Sequence, residues 1–342
     1  MRVVVFSAIA LLILVPLGRF LYMVVPATGV LSDFSTVAVD QCRAIESAPG
    51  PEDIQIDHST GIAYISAAQR RGRTDGHLDG MYTLDLNDPD AKPRLMERDG
   101  PSDFVPHGIS LLEEEQLLFV ISHPSTGHTV EVFKIEENRL AHLRTITSEL
   151  FIEPNDIVAF KPDTFYVSNF QNARDGIGLT VERYLGLPVT NIVQFADGQA
   201  SIAVDGLVSA NGVNISKDGS ELYVAELLAQ KMNTFQRDPA TGKLGKRQRF
   251  SIGTAADNID VGSDGDLYIA THPNLLAFAA HAENENATSP SQIIRINPST
   301  HAQETVFMSI DGEFNGSSVG AFWEGNLLLG NVHDPQIMRC SL

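Results

Sequence analysis

The sequence predicts an all-β fold, a six-bladed β-propeller, because a short motif recurs six times at propeller-like spacing and two cysteines bracket the repeats. In each copy a turn-forming stretch precedes a run of β-branched, aromatic and aliphatic residues, and a small residue commonly follows. The copies occupy residues 58–66, 114–122, 161–168, 217–225, 263–270 and 323–330. Each copy therefore predicts a tight turn followed by a strand.

The spacing of the copies fits one blade per repeat. The equivalent positions Tyr64, Phe119, Tyr166, Tyr223, Tyr268 and Leu328 are separated by 55, 47, 57, 45 and 60 residues. Such intervals have room for four short strands, and residues 130–135, 192–195 and 292–296 supply further strand candidates. A pair of β-sandwiches or a β-helix is the alternative, but irregular periods suit neither.

The only cysteines, Cys42 and Cys340, lie at the two ends of the repeat region. A propeller usually closes its ring by building one blade from both chain ends, which leaves no open sheet edge. The cysteine positions therefore predict a disulfide at this closure and a propeller spanning residues 42–342. Two unrelated free thiols are the alternative.

The first 27 residues have the composition of a targeting segment. Arg2 precedes an apolar run at 3–17, and a second apolar patch at 20–25 follows Arg19. Small residues at 25–27 suit cleavage by signal peptidase, whereas Arg19 and the second patch suit an uncleaved signal anchor. We expect a signal peptide or a signal anchor, and hence a secreted or membrane-anchored protein of the secretory pathway. A buried soluble helix is the alternative.

The net charge of −19 excludes one class of partner. It repels a phosphate backbone, and the chain has no basic stripe that could release counterions, so we expect no nucleic-acid binding. The same acidity is compatible with binding of hard cations.

Polar residues recur at one phase of the repeat, ten to twelve residues before the equivalent strand position. They are Glu52, Asp53, Asn155, Asp156, Asn211, Asp257 and Asn258, while Ile109, and Ser317 with Ser318, hold this phase in the other two copies. Residues at one phase of a propeller line one ring around its axis. This spacing therefore predicts a ring of carboxylates and amides in the central channel.

Crowded buried acids need a neutralising partner, and no Lys or Arg occurs at this phase. Oxygen ligands without cysteine or histidine favour Ca²⁺ over zinc or copper. Adjacent polar pairs such as Asn155 with Asp156 diverge on an extended strand, which predicts two stacked calcium ions. The alternative is that these residues cap turns between blades.

Three histidines accompany the ring and are candidates for acid–base chemistry. His107 and His123 belong to one repeat, and His272 follows the fifth copy. A histidine beside a bound cation has its protonated form disfavoured, which suits a general base. Four further histidines belong to no recognisable cluster and are set aside: His58, His77, His128 and His281.

Several short motifs resemble those of the paraoxonase and arylesterase family. They are Pro-Glu-Asp-Ile at 51–54, Pro-His-Gly-Ile-Ser at 106–110, Ser-His-Pro at 122–124, Asn-Asp-Ile at 155–157, Ala-Asn-Gly-Val-Asn-Ile-Ser at 210–216 and Asp-Asn-Ile at 257–259. The resemblance covers almost all of residues 42–342. It implies a six-bladed propeller with two calcium ions and lactonase activity.

The resemblance also implies roles for individual residues. The expected ligands of a catalytic calcium are Glu52, Asn155, Asn211, Asp257 and Asn258, and those of a structural calcium are Asp53, Asp156 and the carbonyl of Ile109. His107 and His123 correspond to the histidine dyad of the family, and Cys42 with Cys340 to its disulfide. The sequence departs from the family pattern at Gln171, Ser209 and Gln230, so the shape of the substrate pocket is in question.

The implied function is calcium-dependent hydrolysis of lactones and aryl esters. In such a reaction the metal ion would polarise the carbonyl of the substrate, and water would attack it. The base that deprotonates this water would be His107 or one of the ligating carboxylates, Glu52 or Asp257. The alternatives are a calcium-stabilised propeller that only binds a protein or lipid surface, and a metal-free propeller acting on metabolites. The sequons at Asn286 and Asn315 are expected glycosylation sites, whereas Asn214 lies within a repeat.

Overall fold

The computed structural model describes residues 2–30, 32–72 and 78–342, and side chains from residue 14 onwards. Within these residues six separate sheets of four or five strands follow one another along the chain. The innermost strand of each sheet lies beside that of the next sheet, and the last lies beside the first. The predicted six-bladed β-propeller is therefore confirmed.

The blades follow the chain with one exception, the first strand β1 (Cys42–Glu46). Blade 1 contains β2 (Pro51–Asp57), β3 (Ile62–Ala67), β4 (Gly80–Asp85) and β5 (Arg94–Leu95). Blade 2 contains β7 (Pro106–Leu112), β8 (Leu117–Ser122), β9 (Thr129–Glu136) and β10 (Arg139–Ile146), with β6 (Glu97–Arg98) added parallel to β10. Blade 3 contains β11 (Pro154–Lys161), β12 (Thr164–Asn169), β13 (Thr190–Ala196) and β14 (Gln199–Leu207).

The remaining blades have the same antiparallel order. Blade 4 contains β15 (Ala210–Ile215), β16 (Glu221–Glu226), β17 (Lys231–Arg237) and β18 (Leu244–Ser251). Blade 5 contains β19 (Ala255–Val261), β20 (Leu267–His272), β21 (Ser291–Ile296) and β22 (Gln303–Ser309). Blade 6 contains β23 (Ser317–Trp323), β24 (Asn326–Asn331) and β25 (Gln336–Ser341), and β1 completes it.

Blade 6 closes the ring with strands from both ends of the chain. β1 pairs antiparallel with β25, and Cys42 lies directly opposite Cys340. These two residues form a disulfide that joins positions 298 residues apart. The predicted disulfide and the predicted mode of closure are both confirmed.

The hydrophobic core lies between the faces of successive blades. Ile54 and Ile65 of blade 1, for example, pack in one cluster with Val319 and Leu328 of blade 6. The six repeat motifs form the second strand of each blade, which is covered on both faces by neighbouring blades. A strand buried on both faces carries a continuous apolar run rather than an alternating one, and this explains why the motif is visible in the sequence.

Three helices lie outside the blades: α1 (Arg2–Ala27), α2 (Gly176–Leu185) and α3 (Leu275–Glu283). Arg19 of α1 donates hydrogen bonds of 2.6 and 2.5 Å to the carbonyls of Leu185 and Gly186. A cation is favourable at a helix C-terminus, where carbonyls lack partners, so Arg19 fastens α1 to the end of α2. No pattern in the sequence indicates α2, α3 or this role of Arg19.

Within the part of the chain that the structure describes, no helix combines the length and the apolar character needed to cross a membrane. Much of the predicted targeting segment lies outside the residues whose side chains are described. Its identity as a signal peptide or a signal anchor, and export of the protein, stay predictions. His77 also lies outside the described residues.

Candidate metal centre and histidine cluster

Every innermost strand contains a β-bulge near its beginning, and the predicted metal ligands lie in these bulges. The register shifts fall at Pro51/Asp53, Pro106/Ile109, Pro154/Ile157, Ala210/Val213, Ala256/Ile259 and Ser317/Val319. These intervals contain the predicted metal ligands and His107, whereas His123, His272 and Ser209 lie outside them. A bulge leaves its residues unpaired in the ladder and re-aims their side chains, and bulges are common beside functional sites. This local geometry explains why polar side chains at one phase reach the channel.

The predicted ligands converge on one cavity of about 220 Å³. Its lining includes Glu52, Asn155, Asn211 and Asp257, one from each of four blades, together with His107 and His272. Asn258, which is also buried, donates a 3.1 Å hydrogen bond to Glu52 Oε1. The structure thus brings together all five residues expected to hold the catalytic ion.

Four side-chain oxygens of this set are buried and accept no hydrogen bond. They are Glu52 Oε2, Asn155 Oδ1, Asn211 Oδ1 and Asn258 Oδ1. Buried polar atoms without partners cost free energy and call for an explanation such as a bound ion. Carboxylate and amide oxygens are the ligands that Ca²⁺ prefers. The residues therefore fit a calcium ion.

The electrostatics of the acids agree with this fit. Burial raises the pKa of Asp257, against the lowering effect of a hydrogen bond from His272. Burial also acts to raise the pKa of Glu52, but His107, Arg70 and Asn258 together hold it below its ordinary value. A cation among these desolvated oxygens would favour their charged forms.

Asp53 and Asp156 form a second pair that links neighbouring blades. Asp53 accepts backbone N–H bonds from its own strand and, at 2.7 Å, from Ile109 of blade 2. Asp156 likewise accepts from its own strand and, at 2.7 Å, from Val213 of blade 4.

Both carboxyls of this pair have strongly perturbed acidity. Burial raises the pKa of each well above its usual range, the charge of Glu52 raises that of Asp53 further, and the charge of Asp53 raises that of Asp156. A carboxylate retains lone pairs after two such bonds. The pair therefore fits a second cation, and the carbonyl of Ile109 as a ligand stays a prediction.

His107 and His123 are in direct contact, as the sequence reasoning expected. His107 Nδ1 lies 2.8 Å from His123 Nε2, and His107 Nε2 lies 3.5 Å from Glu52 Oε2. Burial, and then the positive charges of His107 and His128, lower the pKa of His123 well below its ordinary value. A lowered pKa favours the neutral form of His123, whose Nε2 lies within hydrogen-bond distance of His107.

Setting aside His128 was wrong, because its Nδ1 lies 2.7 Å from His123 Nδ1. The contact depends on the length of the β8–β9 turn, which places residues 123 and 128 side by side, and no spacing rule indicates it. His281 also has a specific partner, since its Nδ1 donates to the Ala287 carbonyl at 2.6 Å.

The two predicted pocket residues lie in different cavities. His272 lines the cavity of about 220 Å³ that the predicted calcium ligands surround. There its Nε2 is 2.9 Å from Asp257 Oδ2, and its ring stacks on Phe278. Ser209 lines a neighbouring cavity of about 490 Å³ beside α1, α2 and α3. The two cavities share Phe170 and Leu227, so Ser209 lies at the approach to the site rather than in it.

The two glycosylation candidates differ in accessibility. Asn286 is exposed, in the loop after α3. Asn315 is half-buried, and its amide nitrogen donates a 3.2 Å hydrogen bond to Asp334 Oδ2. The geometry therefore suits modification of Asn286 better than modification of Asn315, and both stay predictions.

The close approach of the bulges leads to a testable prediction at Gly212. A Cβ atom added there would lie 2.5 Å from the Asp257 carbonyl oxygen and 2.8 Å from the Ile259 nitrogen. Gly212→Ala should therefore force blades 4 and 5 apart where their innermost strands carry the predicted ligands. We expect this to lower the free energy of unfolding by about 1–3 kcal/mol. Chemical denaturation in Ca²⁺ measures this.

Gly245 provides the matched control, because the nearest atom to an added Cβ is 3.6 Å away. Gly245→Ala on the outer strand β18 should change the free energy of unfolding by no more than about 0.5 kcal/mol. Equal effects of the two substitutions would contradict the tight packing of the ring.

A family model described as Arylesterase matches residues 33–342, which include every blade. The chain belongs to the arylesterase family. This membership confirms the resemblance inferred from the motifs and supports hydrolase activity on small molecules.

Relatives of this arylesterase-family chain cover most of its length. Serum paraoxonase/arylesterase 1 of Rattus norvegicus is 38% identical over 320 residues, 88% of each chain. Serum paraoxonase/arylesterase 1 of Homo sapiens is 32% identical over 320 residues, 88% of this chain and 89% of the relative. Serum paraoxonase/arylesterase 2 of Gallus gallus is 32% identical over 314 residues, 86% of this chain and 87% of the relative.

Solved structures support the fold of this arylesterase-family propeller. A luciferin-regenerating enzyme superposes with a TM-score of 0.59 at 12% identity, covering 90% of this chain and 95% of the other. A gluconolactonase from Xanthomonas campestris gives a TM-score of 0.58 at 15% identity, covering 90% and 91%. At such low identity these similarities concern the fold alone.

Proposed function

We propose that the chain is a calcium-dependent hydrolase of lactones and aryl esters. The observation that carries the proposal is the cluster of buried oxygens without hydrogen-bond partners in the cavity that His107 also lines. The printed names of the relatives, paraoxonase and arylesterase, point to the same chemistry. A purely structural calcium would not require a cavity and an oriented histidine beside it. We therefore favour an enzyme over a propeller that only binds a partner.

In this proposal one calcium site consists of Glu52, Asn155, Asn211, Asp257 and Asn258, and a second, structural site consists of Asp53, Asp156 and the carbonyl of Ile109. Calcium at the first site would supply positive charge for polarising the carbonyl of an ester or a lactone.

His107 is the proposed general base. Its ring lines the cavity, and its Nδ1 contacts His123. Its Nε2, which lies 3.5 Å from Glu52 Oε2, is the nitrogen proposed to take a proton from water. Asp257 is less suited to this task because one carboxylate oxygen already contacts His272 at 2.9 Å. His272 fixes the direction of that carboxylate.

The helices α1, α2 and α3 form the surface through which substrates are proposed to enter and which is proposed to contact lipid. The three helices that contribute residues to the second cavity carry exposed apolar side chains. These are Leu14, Leu17, Leu21 and Tyr22 of α1, Ile177 and Tyr184 of α2, and Leu276 of α3. Exposed apolar patches commonly mark membrane or ligand surfaces. A lipid surface reached through α1 would place apolar substrates close to the cavity.

The test measures hydrolysis of an aryl acetate and of a γ- and a δ-lactone by the purified protein, with chelator and after return of Ca²⁺. Activity should vanish with chelator and return with the ion. His107→Gln should keep bound calcium but lower the turnover number by about 10²–10⁴-fold. Turnover that is indifferent to chelation would overturn the proposal, and a fully active His107→Gln would reject the assigned base.

A further inference from the structure

A second group of metal-type ligands adjoins the cavity that His107 lines, and one of its members, Glu153, belongs to the lining of that cavity. It consists of His123 and His128 at the two ends of the β8–β9 turn and Glu153, directly before β11. One ligand atom from each of the three side chains can be chosen so that all lie within 4.8 Å of one another. The group joins blade 2 to blade 3.

The contacts within the group are close on both sides of His128. Its Nδ1 lies 2.7 Å from His123 Nδ1, and its Nε2 lies 3.7 Å from Glu153 Oε2. All three residues are partly exposed, so an ion could enter from solvent without opening the blades.

The surroundings of the group orient its members. The other nitrogen of His123 contacts His107, and Gln171 donates a 3.4 Å hydrogen bond to Glu153 Oε2. Arg183 in turn donates a 2.7 Å hydrogen bond to Oε1 of the Gln171 side chain. Outer partners of this kind are typical of histidine and carboxylate ligands of metals.

The donor chemistry distinguishes this group from the calcium ring. Two imidazoles and one carboxylate suit zinc and similar transition ions, whereas Ca²⁺ prefers oxygen alone. Three protein ligands leave a fourth position for water, as in open zinc sites. The carboxylate also offsets the nearby positive charge of Arg174.

We propose that His123, His128 and Glu153 form a transition-metal site of the zinc class, separate from the calcium ring. Binding replaces the direct contact between the two imidazoles by bonds from each to the ion. A further consequence rests on the proposed function: an ion on His123 Nδ1 leaves its Nε2 as a fixed donor to His107, so the loaded site slows hydrolysis.

The test is titration of the purified, Ca²⁺-saturated protein with Zn²⁺ by calorimetry, with visible absorption of Co²⁺ as a second probe. The wild type should bind one equivalent. His128→Asn and Glu153→Gln should each weaken Zn²⁺ binding by more than about tenfold, since even outer-shell partners are worth roughly that factor.

The control is His58→Asn, because His58 follows the opposite end of β2 from Glu52. It should bind Zn²⁺ as the wild type does, and thermal unfolding in Ca²⁺ shows whether each variant is folded. Absence of Zn²⁺ binding by the wild type, or unchanged affinity in both His128→Asn and Glu153→Gln, would overturn the site. Binding without inhibition would reject only the link to His107.

Discussion

Glu52→Gln is expected to abolish calcium binding at the cavity and to lower kcat/KM for ester hydrolysis by about 10²–10³-fold or more. The substitution removes a negative charge from the group of predicted ligands, and Glu52 Oε2 is one of the buried oxygens without a hydrogen-bond partner that are proposed to bind the ion. Activity assays and bound-calcium analysis measure the two effects.

Thermal unfolding gives an independent readout of the same substitution. A ligand that binds only the folded state raises the unfolding midpoint, so Ca²⁺ should stabilise the wild type more than Glu52→Gln. Glu114→Gln makes the same chemical change in an exposed turn at the far end of blade 2, and it should behave as the wild type. Full activity with unchanged calcium content in Glu52→Gln would show that the cavity is not the metal centre.

Replacing both cysteines by alanine should lower the free energy of unfolding by about 5 kcal/mol, the largest stability effect that we expect. The disulfide closes a loop of 298 residues in the unfolded chain. In the chain-entropy model the stabilisation grows with loop length. Guanidinium denaturation of the double variant and of the wild type, with and without reductant, measures it.

The control for the disulfide is Glu46→Ala, which changes an exposed side chain at the other end of β1. It should alter the free energy of unfolding by about 0.5 kcal/mol or less. The reduced wild type should resemble the double variant, because both lack the cross-link while the β1–β25 ladder remains possible. If neither the double substitution nor reduction of the wild type lowered the free energy of unfolding, the β1–β25 ladder alone would be sufficient to close the ring.

Blade number and ring closure were predictable because they depend on local patterns. The second strand of each blade is covered on both faces, so its apolar run is continuous, and the turn before it has its own composition. The repeat position of the candidate ligands was also predictable. The bulges recur at the same point of each repeat, and side chains at equivalent points of the repeats lie around the same axis.

The clusters that depend on loops were not predictable. His128 meets His123 only because the β8–β9 turn folds back, and Glu153 reaches them from the next blade. Arg19 looked like an interruption of an apolar segment, yet it binds carbonyls at the end of α2, 166 and 167 positions away. No periodicity records such long-range contacts.

The amino-acid sequence was sufficient to predict the propeller and its disulfide. It also placed the candidate calcium ligands at one position of the repeat, which in a propeller corresponds to one distance from the axis, and their role as ligands stays a prediction. The tertiary structure was needed to identify the cavity, the buried oxygens without hydrogen-bond partners and the contacts among His107, His123 and His128. It was also needed to place the helices α1, α2 and α3 beside the second cavity. Those features depend on how bulges turn side chains and how loops of different blades meet, and neither follows from residue spacing.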